Sequence, residues 1–191
     1  MTESTHPQSL YLVLRLDRKQ KAFRLQGELE TSENFGDIFE IVKKSVKQQL
    51  GMERAGLMLV LADLPMHLGA FHGVGTNQIV MNRALLDRIV AAGHPRSHIN
   101  AFVYSILLHE YLHSLGVIDE SEVRRLVNEI SLKSFGPEHP VSTIASRGPW
   151  SLLREPGYVD TQVPRELRLN LKQRRAELIT DFDRSDRNYI S

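Results

Sequence analysis

The sequence contains no cysteine, and this absence excludes several kinds of site at once. Disulfide frameworks, iron–sulfur clusters, thiolate zinc sites and cysteine nucleophiles all require a thiol, so none of them can form here. Any bound metal ion must therefore be held by histidine, aspartate or glutamate. The chain has eight histidines, so ligands for such a site are available.

The chain also lacks a strong excess of charge of one sign and any long apolar run. Its formal net charge of +1 gives no support for a protein that acts mainly by binding nucleic-acid phosphates. Apolar stretches such as residues 10–16 and 56–64 are too short to span a bilayer. The first ten residues have neither a basic flank nor an apolar run, so we expect no secretory signal and a soluble, cytoplasmic protein.

Some segments of the chain repeat apolar residues with the period of a β-strand and others with the period of an α-helix. A glycine-rich loop is predicted at residues 65–75. Strands are predicted for residues 10–16, 21–29, 57–64 and 76–82, of which the first two form a β-hairpin. Helices are predicted for residues 34–50, 83–92, 98–115 and 119–132. This order of elements predicts a single α+β domain.

The composition changes near residue 150. We expect the α+β domain to cover residues 1–150 and a charged C-terminal extension, partly mobile, to cover residues 151–191. Within the extension, residues 165–175 are rich in arginine and lysine and poor in apolar residues, which is typical of a solvated helix or a mobile segment.

The predicted helix at residues 98–115 is apolar on almost every side, which places it in the centre of the fold. Near its end the sequence reads His109-Glu110-Tyr111-Leu112-His113. Residues four apart lie on one face of a helix, so both imidazoles can reach one metal ion. Glu110 points about 100° away from them, because a helix has 3.6 residues per turn. It is therefore a candidate general base that accepts a proton from a metal-bound water.

His109, Glu110, His113 and Gly116 resemble the core motif of the zincin metallopeptidases. With Asp119, the segment is similar to the extended metzincin motif in its rarer form, in which aspartate is the third metal ligand. The resemblance covers about a dozen residues.

The resemblance to zincins implies a zincin-like fold, with a small mixed sheet, a backing helix and a central active-site helix. It also implies a bound Zn²⁺ and a peptide or protein substrate, hydrolysed through a metal-bound water. By the same analogy, the last strand before the active-site helix, at residues 76–82, would border the cleft and pair with an extended substrate.

The third metal ligand has several candidates. Asp119 has the metzincin spacing, but no methionine follows Met81 to form the turn for which metzincins are named. Asp119 and Glu122 also form a capping box for the next helix, which explains both residues without a metal. Glu120, and less readily Glu122, would give a gluzincin-like site with a glutamate from the following helix. His139 would give a site of three histidines.

Two other classes of function compete with the peptidase. YbeY-like metalloproteins, which mature ribosomal RNA, carry a similar motif and hydrolyse RNA, but their motif usually lacks the glutamate found here as Glu110. The two helices at residues 98–115 and 119–132 also resemble a helix-turn-helix, a non-catalytic binding module in which Arg124 and Arg125 would contact DNA phosphates. The near-neutral charge argues against nucleic acid, and no membrane partner is expected.

Overall fold

A computed structural model of the chain describes residues 23–153 and 176–184, which form a mixed α+β fold. The helices are α1 (residues 23–31), α2 (Phe35–Leu50), α3 (Arg83–Ala91), α4 (Arg96–Ser114), α5 (Glu120–Phe135) and α6 (Pro140–Arg147), followed by a 3-10 helix (Pro149–Leu153). The strands are β1 (Met58–Ala62), β2 (Ala70–His72), β3 (Gln78–Asn82) and β4 (Glu177–Ile179). The four predicted helices are present as α2 to α5, and the predicted strands at 57–64 and 76–82 are present as β1 and β3.

The four strands form one mixed sheet in the order β2-β3-β1-β4. β1 pairs with β3 in parallel, while β2 and β4 run antiparallel to their neighbours. The strand at residues 76–82, expected to border the cleft, is therefore an inner strand. The outer strand on that side is β2, which lies within the segment predicted as a loop. Three residues between Gly69 and Gly73 are too few to show a strand period, so the sequence did not reveal β2.

The predicted hairpin is wrong for the residues that the structure describes. Residues 23–31 are helical, while the first predicted strand, residues 10–16, lies outside the described residues. Leu25 and Leu29 are buried because residues four apart share one face of a helix. Phe23, which seemed to continue an alternating strand pattern, is 77% exposed.

α4 occupies the centre of the fold, as its apolar sequence predicts. It contacts α2, α5 and α6 as well as β2 and β3. Its Tyr111 packs edge-on against Phe39 of α2, with the ring centroids 5.3 Å apart, and its hydroxyl accepts a hydrogen bond from the Arg54 amide at 2.8 Å. Within the described residues, no helix combines the length and apolarity needed to cross a bilayer.

Residues 177–184 pack against the α+β fold. β4 pairs with β1, and Phe182 stacks on Phe39 with ring centroids 4.2 Å apart. Asp183 forms a buried ion pair with Lys43 of α2 at 2.7 Å. These contacts tie residues 177–184 to β1 and α2, while the basic stretch at 165–175 lies outside the described residues, and the expected division at residue 150 stays a prediction.

Candidate metal centre

A tight turn connects the end of α4 to the start of α5. Gly116 has a φ of +96°, which a residue with a side chain rarely adopts, and it lets the chain reverse directly after the helix. The Asp119 side chain then accepts a hydrogen bond from the Glu122 amide at 2.8 Å, which caps the first turn of α5. This connection places Glu120, the first residue of α5, beside the last turn of α4.

His109, His113 and Glu120 come together in a cluster that we call the His–His–Glu cluster. The Nε2 atoms of the two histidines are 3.2 Å apart. Oε1 of Glu120 lies 3.1 Å from Nε2 of His113, and Oε2 lies 3.5 Å from Nε2 of His109. Zinc–ligand bonds of about 2.0–2.1 Å at tetrahedral angles separate ligand atoms by about 3.3 Å, so each of these three separations is close to the spacing of two ligand atoms on one zinc ion.

The hydrogen bonding of His113 and the burial of His109 suit metal binding. Nδ1 of His113 donates a hydrogen bond to the Val117 carbonyl at 2.8 Å, which fixes the ring and leaves the Nε2 lone pair directed at the cluster. Burial lowers the pKa of His109, and this effect is opposed by the nearby Glu120 carboxylate. A neutral imidazole, rather than an imidazolium, is the form that binds a metal ion.

Glu110 lies next to the cluster but is not part of it. Its side chain is only 5% exposed, and burial raises its pKa to about 7. Among the neighbouring groups, His113 lowers this pKa, Glu120 raises it, and the backbone of His72 in β2 lowers it. A carboxyl group with a pKa near neutrality can both accept and release a proton, as general acid–base catalysis requires.

The structure does not bring the other candidate ligands to the histidines. Asp119 is exposed and acts as the N-cap of α5, where its carboxylate accepts hydrogen bonds from the Glu122 amide and the Ser121 hydroxyl. Glu122 forms an ion pair with Arg125 at 2.8 Å. Among the residues that the structure describes, the His–His–Glu cluster is the one group with metal-ligand geometry.

His139, the remaining candidate ligand, is buried elsewhere in the fold. Its Nδ1 accepts a hydrogen bond from the Val141 amide at 3.2 Å and so caps the start of α6. The ring stacks on Phe135 with centroids 4.9 Å apart. The sequence Glu138-His139-Pro140 therefore begins a helix, with proline at its first position, instead of forming a rigid ligand loop.

A cleft of about 1160 Å³ opens over the His–His–Glu cluster and Glu110. It is lined by β2 and the loop before it, one face of α4, the first half of α5 and residues 144–150. β2 lies close against α4 because Gly69 has no side chain, and a Cβ there would be 2.8 Å from Ile106 Cδ1. Arg124 and Arg147 also line this cleft, and the sequence alone did not place them there. Arg124 follows Glu120 by one helical turn, which could have indicated its place, but no local signal exists for Arg147.

Protonation of His139 should reduce stability at acid pH. Burial, aided by the charge of His98, lowers the pKa of His139 from an ordinary 6.5 to about 4. Below pH 6.5 the unfolded chain gains a proton that the folded chain gains only near pH 4, so His139 alone should lower the free energy of unfolding by about 3 kcal/mol across this range. Glu110, whose pKa is raised by burial, contributes in the opposite direction, so the contribution of His139 is obtained by comparison with a variant at that position. Urea denaturation with chelator present, at pH 7 and pH 4, measures the change.

The matched control for this prediction is His139→Asn, because asparagine can still cap α6 but does not titrate in this range. The variant should lose about 3 kcal/mol less than the wild type between the two pH values. Parallel pH dependence of the two proteins would show that His139 is not the responsible group.

Comparisons with known proteins do not assign the chain to a family: no family model, no curated protein and no solved structure matches it. The interpretation of the site therefore depends on its own geometry and on the residues of the motif. Of the sequence-predicted site residues, the structure brings together His109, Glu110, His113 and Glu120.

Proposed function

We propose that this chain is a zinc-dependent metallopeptidase of the zincin type, with Glu120 as the third ligand. The observation that carries the proposal is the convergence of three ligand-bearing side chains. The two histidine Nε2 atoms are 3.2 Å apart, and the two carboxylate oxygens of Glu120 lie 3.1 and 3.5 Å from His113 and His109 respectively. Two imidazoles and one carboxylate, with a fourth position open towards a cleft, form a ligand set typical of catalytic zinc. This would be a gluzincin-like arrangement and not the metzincin-like one that Asp119 indicated.

The roles of the residues follow from their positions. His109, His113 and Glu120 would hold the ion, which when bound would polarise the scissile carbonyl and lower the pKa of the attacking water. Glu110, one helical position from His109 and outside the ligand set, would accept the proton of that water and pass it to the leaving amine. Glu110 is buried, and the turn at Gly116 sets Glu120 beside the last turn of α4 without substrate.

A peptide substrate is supported by the strand that borders the cleft. β2 has one strand partner, β3, among the described residues, so the backbone groups of its other edge can bind an extended chain. β2 and Glu110 line the same cleft, so a chain bound along this strand would lie close to the general base. Phe71 and Val74 are 42% and 85% exposed and offer apolar contacts beside it.

Two observations weigh against the competing functions. The general-base position is occupied by Glu110, which the RNA hydrolases of similar motif usually lack. In α5, the helix that would enter DNA in a helix-turn-helix, Arg125 is already paired with Glu122 and Glu129 at 2.8 Å each. α5 also begins with Glu120 and Glu122, whose carboxylates would repel phosphates.

The proposal is tested by peptidase activity that depends on the metal. Protein loaded with about one equivalent of Zn²⁺ should cleave denatured casein, because an unfolded chain can align with β2. 1,10-Phenanthroline should stop the cleavage, and added Zn²⁺ should restore it. Cleavage that continues undiminished with the chelator would point to a contaminating protease, and zinc-loaded protein that cleaves neither casein nor a mixed peptide library would contradict the proposal.

A further inference from the structure

Two arginines line the cleft without being needed by the chemistry proposed above. Arg124 lies on α5 and its Nε is 3.9 Å from Oε2 of Glu120, so its charge is close to the His–His–Glu cluster. Arg147, at the end of α6, is exposed and forms no ion pair with any residue in the described part of the chain. The side chain of Arg124 is 77% exposed, which leaves most of its guanidinium accessible to a ligand.

The charge balance of the cleft favours an anionic ligand once a metal is bound. Its described lining contains three arginines but two carboxylates, Glu110 and Glu120. A bound metal ion would neutralise Glu120, so Glu110 alone would oppose the positive charge of the arginines in the described lining. Arg125 is already paired with carboxylates of its own helix, so Arg124 and Arg147 supply the positive charge that remains.

We infer that the cleft selects peptides that carry a carboxylate, which Arg124 and Arg147 bind. This inference rests on the proposed peptidase function. A guanidinium group binds a carboxylate through two parallel hydrogen bonds, which gives both affinity and orientation. The carboxylate can belong to an acidic side chain or to the C-terminus of the peptide. A peptide is favoured over RNA because the backbone edge of β2 and the exposed Phe71 complement a polypeptide, whereas two arginines cannot follow a row of phosphates.

The test measures binding separately from cleavage. The probes are dye-labelled heptapeptides that consist of alanine and one phenylalanine. In each peptide of the set, a single glutamate replaces a different one of the alanines. Their partners have glutamine in place of glutamate, or a C-terminal amide in place of the free acid. Fluorescence anisotropy with zinc-loaded Glu110→Gln protein, which should not consume the peptide, gives the dissociation constants.

At the best position, replacing glutamate by glutamine, or the free C-terminus by an amide, should weaken binding roughly tenfold, as expected for charge-assisted hydrogen bonds at a partly exposed site. The substitution that has this effect identifies the source of the carboxylate. Arg147→Gln and Arg124→Gln should remove the preference without changing the affinity for the neutral peptide. Arg125→Gln is the matched control, because this arginine lines the same cleft but is paired, and it should keep the preference.

Three results would overturn the inference. The first is equal binding of acidic and neutral peptides, and the second is a preference for the acidic peptide that survives in both Arg124→Gln and Arg147→Gln. The third is displacement of the acidic peptide by single-stranded RNA at a lower concentration than by unlabelled peptide. Failure of the proposed function gives a different result. Cleavage without a preference for carboxylates contradicts the inference alone, whereas a clear preference in a wild-type protein that cleaves none of the peptides contradicts the peptidase.

Discussion

Glu110→Gln should abolish peptide cleavage while the protein still binds zinc. Glutamine has nearly the same shape as glutamate but cannot accept the proton of the attacking water, so kcat should fall by roughly a thousandfold, the usual contribution of a general base. Zinc should remain because Glu110 is outside the His–His–Glu cluster. The experiment measures kcat with the best peptide and the zinc content of the same samples.

Glu122→Gln is the matched control for this variant, because Glu122 is an exposed glutamate of α5 that is paired with Arg125 and takes no part in the site. This control should retain near wild-type kcat. Cleavage that persists in Glu110→Gln would remove Glu110 from the mechanism. Loss of zinc in that variant would instead place Glu110 among the ligands and contradict the arrangement described here.

Glu120→Gln should weaken zinc binding by at least about a hundredfold, whereas Asp119→Asn should leave it nearly unchanged. A neutral amide is a poor zinc ligand, so the loss of the Glu120 carboxylate leaves two protein ligands. Asparagine caps a helix as well as aspartate does, so Asp119→Asn removes the charge but keeps α5 intact. Competition with a chromophoric zinc chelator measures both affinities.

These two adjacent substitutions separate the gluzincin-like and metzincin-like ligand sets. Loss of affinity in Asp119→Asn with none in Glu120→Gln would reverse the assignment and require the turn at Gly116 to adopt another conformation. If neither substitution lowers the zinc affinity, the third ligand comes from another part of the chain. His139→Asn then tests the site of three histidines.

The parts of the fold that could be predicted from the sequence are those with a strong local signal. α2 illustrates this, because Asn34 caps its start, Gly51 ends it in a left-handed conformation, and apolar residues recur on one face between. β2 was missed because a strand of three residues is too short to show a hydrophobic period. β4 is equally short in hydrophobic signal, and it forms by pairing with β1, which is distant from it in the sequence. α6 is absent from the predicted helices although its signal is present, since a proline such as Pro140 is common at the first position of a helix.

The candidate site divides in the same way between local and tertiary information. His109 and His113 are neighbours because any helix brings residues four apart together, so their proximity could be predicted. The choice between Asp119 and Glu120 depends on how α5 is set against α4, which no local pattern specifies. The capping box of Asp119 and Glu122 was the useful clue, because an aspartate that caps a helix is not directed at a metal. Arg147 reaches the cleft through the packing of α6 alone.

The most direct test of the metal centre is the zinc content of the protein, measured by mass spectrometry after purification without chelator and dialysis against dilute zinc. We expect about one zinc ion per chain in the wild type and none retained in His109→Ala, whose fold should be checked by circular dichroism. Wild-type protein that retains no zinc, or equal retention by the wild type and the variant, would contradict a metal site at the His–His–Glu cluster.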